Sequence, residues 1–121
     1  MDERIRRLEH KGRSILLADL SGVGADRYVE VLRRTAATIA REPAGSVRLI
    51  TYLKDARFGV GAAEHVKAYS ATIRPALKAG AVVGLSPLHR IIFVAVKPFL
   101  HSTVTVFDGI EQAKDWLATF E

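Results

Sequence analysis

The segment SILLADL, residues 14–20, is almost continuously apolar, which is typical of a strand covered on both faces and therefore of a parallel sheet. Ser21-Gly22-Val23-Gly24 ends this segment, and apolar residues then recur at helical spacing over residues 26–42. A buried strand, a turn and an amphipathic helix in succession form the repeating unit of α/β folds with right-handed crossovers.

Three further units of this kind follow along the chain. Alternating apolar residues predict a strand over 47–53, and helical spacing predicts a helix over 61–74. Residues 81–85 (AVVGL) are expected to form a third, buried strand after Gly80 closes the preceding unit. Residues 103–107 (TVTVF) alternate like an edge strand.

Two capping motifs predict where the last two helices begin. Ser86-Pro87 combines a side-chain acceptor with a preset backbone angle, which favours a helix running to about Leu100. Asp108 with Glu111 has the spacing of a capping box and predicts the final helix. The sequence leaves open whether Arg4 to Glu9, ahead of the turn-like His10-Lys11-Gly12, folds back as an antiparallel edge strand.

We therefore predict a single domain over residues 1–121, an α/β layered sandwich with a mainly parallel sheet of four or five strands and four helices. At 121 residues, 49% of them hydrophobic, the chain is long enough to bury a core without disulfides or metals. The absence of cysteine excludes thiol nucleophiles and thiolate metal sites. No signal peptide is visible and no apolar run approaches the roughly 18 residues of a membrane span, so we expect a cytoplasmic protein without stable membrane insertion.

The net charge of +5 is unevenly distributed, because no acidic residue lies between Glu64 and Asp108. This stretch holds five cations, namely Lys67, Arg74, Lys78, Arg90 and Lys97. They form either a surface that faces an anion or ordinary solvated positions. Nucleic acid is not an expected partner, because the cations are neither densely clustered nor interleaved with aromatic residues.

Several segments resemble the small bacterial STAS/Sec14-like proteins, also called SpoIIAA-like. They are residues 10–16 (HKGRSIL), 19–22 (DLSG), 78–84 (KAGAVVG), 106–108 (VFD) and 111–117 (EQAKDWL). The resemblance spans nearly the whole chain and implies an α/β domain with a short antiparallel edge strand, four helices and a binding role.

The resemblance also bears on regulation. STAS anti-anti-sigma factors carry a phosphorylatable serine in an Asp-Ser-Ser-Gly-like turn between a central strand and a helix. The nearest counterpart in this chain is Asp55-Ala56-Arg57-Phe58-Gly59, which has no serine. A partner switch controlled by a kinase at this turn is therefore not expected.

The turn Gly84-Leu85-Ser86 with Arg90 is a candidate anion-binding site. Exposed amides at the start of a helix and a nearby guanidinium are groups that bind phosphate or carboxylate. The alternative is that Ser86 simply caps the helix, with its oxygen committed to the backbone.

The helix after Ser86 carries more apolar residues than packing on a sheet requires. The stripe expected to pack on the sheet consists of Leu88, Ile91, Ile92, Ala95, Val96 and Phe99. Outside it lie Phe93, Val94 and Leu100, interrupted only by Lys97. These four residues are a candidate interface, most simply of a symmetric homodimer, and the alternative is a broad core contact.

The sequence contains no recognisable catalytic constellation. Asp19 and Asp55 follow predicted strands at the sheet edge where ligands of α/β folds bind, although capping is a common use of such residues. The histidines lack metal-ligand spacing, so we predict no catalytic residue, metal or cofactor. The leading interpretation is a non-enzymatic, homodimeric interaction module with an unidentified protein partner. The alternative is a carrier or sensor of a small amphipathic, lipid-like or anionic ligand, and an enzyme ranks last.

Overall fold

The computed structural model describes residues 4–121 and shows an α/β fold. In chain order its elements are β1 (Ile5–His10), β2 (Arg13–Asp19), α1 (Tyr28–Ala40), β3 (Val47–Tyr52), α2 (Ala62–Ile73), β4 (Leu77–Val83), α3 (Pro87–Val96), β5 (Val104–Phe107) and α4 (Ile110–Leu117). Short 3₁₀ turns follow α2 at Arg74–Ala76 and α3 at Lys97–Phe99.

The five strands form one mixed sheet in the order β1-β2-β3-β4-β5. β1 runs antiparallel to β2 with His10 opposite Arg13, and the other neighbouring strands pair in parallel. Lys11 (φ 52°) and Gly12 (φ 78°) form the two-residue turn, and two left-handed residues suit the twist of a tight hairpin. The question left open by the sequence is thus answered: the N-terminal segment is an antiparallel edge strand.

The helices divide between the two faces of the sheet. Because spatial order follows chain order, right-handed crossovers place α1, α2 and α3 on one face. α4 packs on the other face, where Ala113 and Leu117 lie against Ile50 of β3. The larger core cluster, which includes Leu16, Leu32, Ile39, Leu49 and Ile73, lies beneath α1 and α2.

Two predicted boundaries are wrong for local reasons. β4 begins at Leu77, so Gly80 lies inside the strand instead of closing the preceding unit. A Cβ atom at Gly80 would lie 3.3 Å from the Val104 side chain, and the missing side chain lets β5 pack closely. The predicted capping box is absent, because Gly109 occupies the N-cap of α4 and no side chain caps that helix.

The third helix also ends earlier than predicted. Its α-helical part stops at Val96, and a 3₁₀ turn continues to Phe99. Pro98 has no backbone N–H to donate to the preceding turn, which explains the change of helix type.

Candidate functional site

The turn between β4 and α3 sets the position of the third helix. Gly84 adopts φ 88°, and a Cβ atom there would lie 2.8 Å from the backbone nitrogen of Lys54. Only glycine meets both requirements without strain. Ser86 then caps α3, because its Oγ accepts a hydrogen bond from the backbone N–H of His89 at 3.1 Å. The capping prediction for Ser86-Pro87 is confirmed.

Helices α2 and α3 and the sheet partly enclose an apolar cavity of about 80 Å³. This space is several times the roughly 10–15 Å³ that a single water occupies. Its walls include Val66 and Tyr69 of α2, Phe93 and Val96 of α3, and Phe58 from the loop after β3. Among residues 4–121, no lysine, arginine, aspartate or glutamate lines it.

His89 is the polar side chain of α3 that lines this cavity. It is 4% exposed, and within the described chain its Nδ1 atom has no hydrogen-bond partner. The Phe58 ring lies against the imidazole with a centroid separation of 4.6 Å. Burial lowers the pKa of His89 below its usual 6.5, so the ring is neutral at pH 7.

A second polar pair lines the same cavity. The hydroxyl groups of Thr51 and Tyr69 lie 3.3 Å apart and are both buried. Burial raises the pKa of Tyr69 to about 12, against a smaller opposing effect of its hydrogen bond with Thr51. The phenol is therefore neutral at pH 7, and one of the two hydroxyls donates a hydrogen bond to the other.

The residues of the predicted anion site are dispersed. The Leu85 side chain lines the cavity, whereas the Ser86 hydroxyl is occupied by its capping bond. Arg90 is exposed, and its Nη2 lies 3.5 Å from Oδ1 of Asp108. Arg90 therefore lies apart from the cavity, and anion binding at residues 84–90 stays a prediction.

The residues of the predicted interface are also divided. Phe93 and Leu100 line the cavity, whereas Val94 and Lys97 are exposed. The Lys97 Nζ atom lies 5.6 Å from the centroid of the Phe93 ring. Phe93 thus contributes to the interior as well as to the edge of the surface.

The orientation predicted for the apolar stripe of α3 is confirmed for Val96 and wrong for Leu88, Ile91, Ala95 and Phe99, which are exposed. Leu88 and Ile91 point outward, Ile91 being 68% exposed, while the buried residues of the helix are His89 and Val96. Helical periodicity identifies apolar stripes, but α3 carries apolar residues around most of its circumference. The exposed large residues Leu88, Ile91, Val94 and Phe99 are called the outer α3 face below.

Asp19 and Asp55 do not line the cavity. Oδ1 of Asp19 accepts hydrogen bonds from the backbone N–H and the hydroxyl of Ser21, at 3.0 and 2.5 Å. Its Oδ2 lies 3.0 Å from Nη2 of Arg6. Asp55 is exposed with φ 60°. In this structure Asp19 thus stabilises the turn at Ser21 and forms an ion pair with Arg6.

Sequence reasoning did not identify Phe58, Tyr69 and His89 as residues of one site. Phe58 lies in the DARFG segment, which the sequence resemblance marks only by its lack of a serine. His89 could have been found from the sequence, because it is a titratable residue within an apolar helix, three positions after the predicted N-cap. Only the fold brings these three residues together around the cavity.

Comparison with known proteins yields no assignment. No family model matches the chain, and neither a curated protein nor a solved structure matches it. Within residues 4–121, no group of three or more histidine, aspartate or glutamate side chains is placed to hold a metal ion. In the same part of the chain no helix is long and apolar enough to cross a membrane.

Proposed function

We propose that this chain is a non-enzymatic binding domain of the STAS/Sec14-like type, which carries or senses a small, mainly apolar ligand in the cavity beneath α3. The observation that supports the ligand is the cavity itself, with its apolar walls and a buried histidine that lacks a partner. The family assignment draws support from the antiparallel edge strand and the four helices, which the sequence resemblance implies.

The chemistry of the walls selects the ligand. Small-molecule sites are concave and mainly apolar, with a few polar groups that orient the ligand. This cavity has that composition, and none of its lining residues within 4–121 is a cation that would neutralise a carboxylate or a phosphate. A charged group would lose its hydration there without compensation, so the part of the ligand inside the cavity is neutral.

Helix α3 is the wall best able to move for ligand entry. Only His89 and Val96 of its ten residues are buried, whereas α1 buries six of thirteen. Elements with few buried apolar contacts open at a lower free-energy cost than the core of the domain. A displacement of α3 would therefore admit a ligand while the sheet and α1 stay in place.

Toluene is a suitable first probe because it is small, neutral and apolar. Binding to the folded state alone raises the unfolding temperature, and it shifts the methyl resonances of residues that line the cavity. Val66→Phe places a larger side chain in the cavity and should abolish both effects. Val60→Phe is the matched control, because Val60 is fully exposed and lies outside the cavity wall. Absence of any toluene effect on the unaltered chain would contradict the proposal.

The second candidate function is an interaction module that forms a homodimer through the outer α3 face. The supporting observation is four large apolar side chains exposed on one helix and the turn that follows it. In a symmetric dimer this face would pack against the same face of a second chain, which removes apolar surface of both chains from water. Arg90 and Lys97 of the two copies would then repel each other, so salt should strengthen the association.

Sedimentation velocity over a range of protein and salt concentrations tests this candidate. Ile91→Glu places a charge on the outer α3 face and should yield a folded monomer. Val60→Glu introduces the same charge at a fully exposed position outside α3 and should leave the dimer intact. A chain that remains monomeric at every concentration would rule out the homodimer.

A further inference from the structure

We infer that His89 determines which ligand the cavity accepts: a neutral apolar molecule that carries one hydroxyl group, bonded to the Nδ1 atom of His89. This inference rests on the proposed ligand-binding function and names the chemical class of the ligand. The cavity is formed by described residues of α2, α3, the sheet and the loop after β3.

The first step is the unsatisfied state of Nδ1. A buried polar atom without a hydrogen-bond partner destabilises the folded state, and such atoms are rare in folded proteins. His89 is 4% exposed, so bulk water does not solvate Nδ1, and no residue in 4–121 pairs with it. Because a molecule the size of water does not reach Nδ1 in this structure, the imidazole must turn before a ligand hydroxyl contacts it, and the ligand then recovers this cost on binding.

The second step is that three other polar side chains of this region, Thr51, Tyr69 and Ser86, each take part in a hydrogen bond. The hydroxyls of Thr51 and Tyr69 lie 3.3 Å apart, so one of them donates a hydrogen bond to the other. The Ser86 hydroxyl is held by the backbone N–H of His89. Among the described residues that line the cavity, Nδ1 of His89 is the buried side-chain atom without any hydrogen-bond partner.

The third step identifies the ligand group. Either ring nitrogen of a neutral histidine carries the proton, so Nδ1 acts as a donor in one tautomer and as an acceptor in the other. A hydroxyl both donates and accepts, and it therefore serves either tautomer. A carboxylate would need a compensating cation, and none lines the cavity within the described chain.

The remainder of the ligand is apolar and flat enough to contact aromatic rings. Phe58 lies 4.6 Å from the imidazole of His89, and Phe93 lines the same space. Aromatic faces favour offset or edge contacts with another ring. Phenol and toluene form a matched probe pair, because they have nearly the same shape and differ in a hydroxyl against a methyl group.

The test compares the dissociation constants of phenol and toluene for the unaltered chain and for His89→Phe. The variant keeps an aromatic ring against Phe58 but removes Nδ1. Loss of one hydrogen-bond partner in a buried site corresponds to about a tenfold change in affinity. We expect the preference for phenol over toluene to decrease by about tenfold in the variant. A preference that is unchanged by the substitution would overturn the inference.

A second measurement uses the unaltered chain and therefore remains valid even if His89→Phe does not fold. In protein labelled with nitrogen-15 histidine, phenol should shift the Nδ1 resonance of His89, whereas toluene should leave it nearly unchanged. Equal shifts with both probes would overturn the inference while toluene binding still supports the cavity. Failure of both probes to bind would overturn the proposed function as well, so the two failures are distinguishable.

Discussion

Helices α1 and α3 lie on the same face of the sheet but use their apolar residues differently. α1 is amphipathic and buries six residues between Tyr28 and Ile39, five of them in the main core. α3 is the more apolar of the two, yet it buries only His89 and Val96. The remainder of its apolar surface lines the cavity or faces outward. Apolar content beyond what packing uses therefore marks the region in which we place binding.

The largest expected effect is the difference in unfolding free energy between a substitution in the core of α1 and one on the outer α3 face. Ile39 in α1 is fully buried, and Ile39→Ala should lower the free energy of unfolding by about 2–5 kcal/mol. Ile91 in α3 is 68% exposed, and Ile91→Ala should change it by only about 0.5 kcal/mol or less. Urea unfolding, monitored by circular dichroism at a concentration where the chain is monomeric, measures both.

Repeating the urea experiment at high protein concentration sharpens the same comparison. If the outer α3 face is covered by a second copy, the cost of Ile91→Ala should grow with protein concentration, and that of Ile39→Ala should not. Equal losses for both variants in dilute solution would show that Ile91 belongs to the core and would break the distinction between the two helices.

The sequence was sufficient to predict α1 but only part of α3. The apolar positions of α1 form one stripe, so periodicity alone identifies its buried face. In α3, the predicted stripe with Leu88 and Ile91 competes with the neighbouring Phe93 for the sheet, and periodicity does not decide between two adjacent apolar stripes. The start of α3 was predictable, because a serine followed by proline specifies a local cap that depends on no distant contact.

The cavity was not predictable, because it depends on distances between elements that are far apart in the chain. Phe58, Tyr69 and His89 belong to a loop and two different helices. The sequence did indicate the β1–β2 hairpin as one of two possibilities, because a two-residue turn is a local feature. Which of two apolar stripes faces the sheet and how much empty space remains beneath it are properties of tertiary packing.

The second largest effect concerns how each helix begins. α3 has a side-chain cap from Ser86, whereas Arg27 at the N-cap of α1 makes no such bond. Ser86→Ala should therefore destabilise the domain by about 1 kcal/mol, and Ser86→Asp should restore most of the loss because aspartate also caps helices. Chemical unfolding of the three chains measures the effect. A destabilised Ser86→Asp chain would indicate that the serine hydroxyl has another role.

The pH dependence of stability tests the burial of His89 in α3. In the unfolded chain the imidazole binds a proton as the pH falls through about 6.5, whereas burial keeps the folded imidazole neutral to lower pH. The unfolded state then binds more protons, so this contribution is complete above pH 6.5 and is lost as the pH falls below it. The unfolding temperature should decrease from pH 7 to pH 5, and less steeply in His89→Phe. Identical slopes in the two chains would contradict burial of a neutral His89.

The smallest expected effect lies at the exposed start of α3, in Arg90. Its guanidinium lies 3.5 Å from Asp108, and both side chains are largely exposed, so Arg90→Ala should change the free energy of unfolding by less than about 1 kcal/mol. Phosphate titration monitored at the amides of residues 84–90 separates the two interpretations of this turn. Ser86 is committed to its cap and Asp108 places a negative charge beside Arg90, and absence of a saturable shift would contradict anion binding at this turn. Saturable shifts that disappear in Arg90→Ala would instead place an anion at this turn and extend binding in α3 from the cavity to its exposed N-terminus.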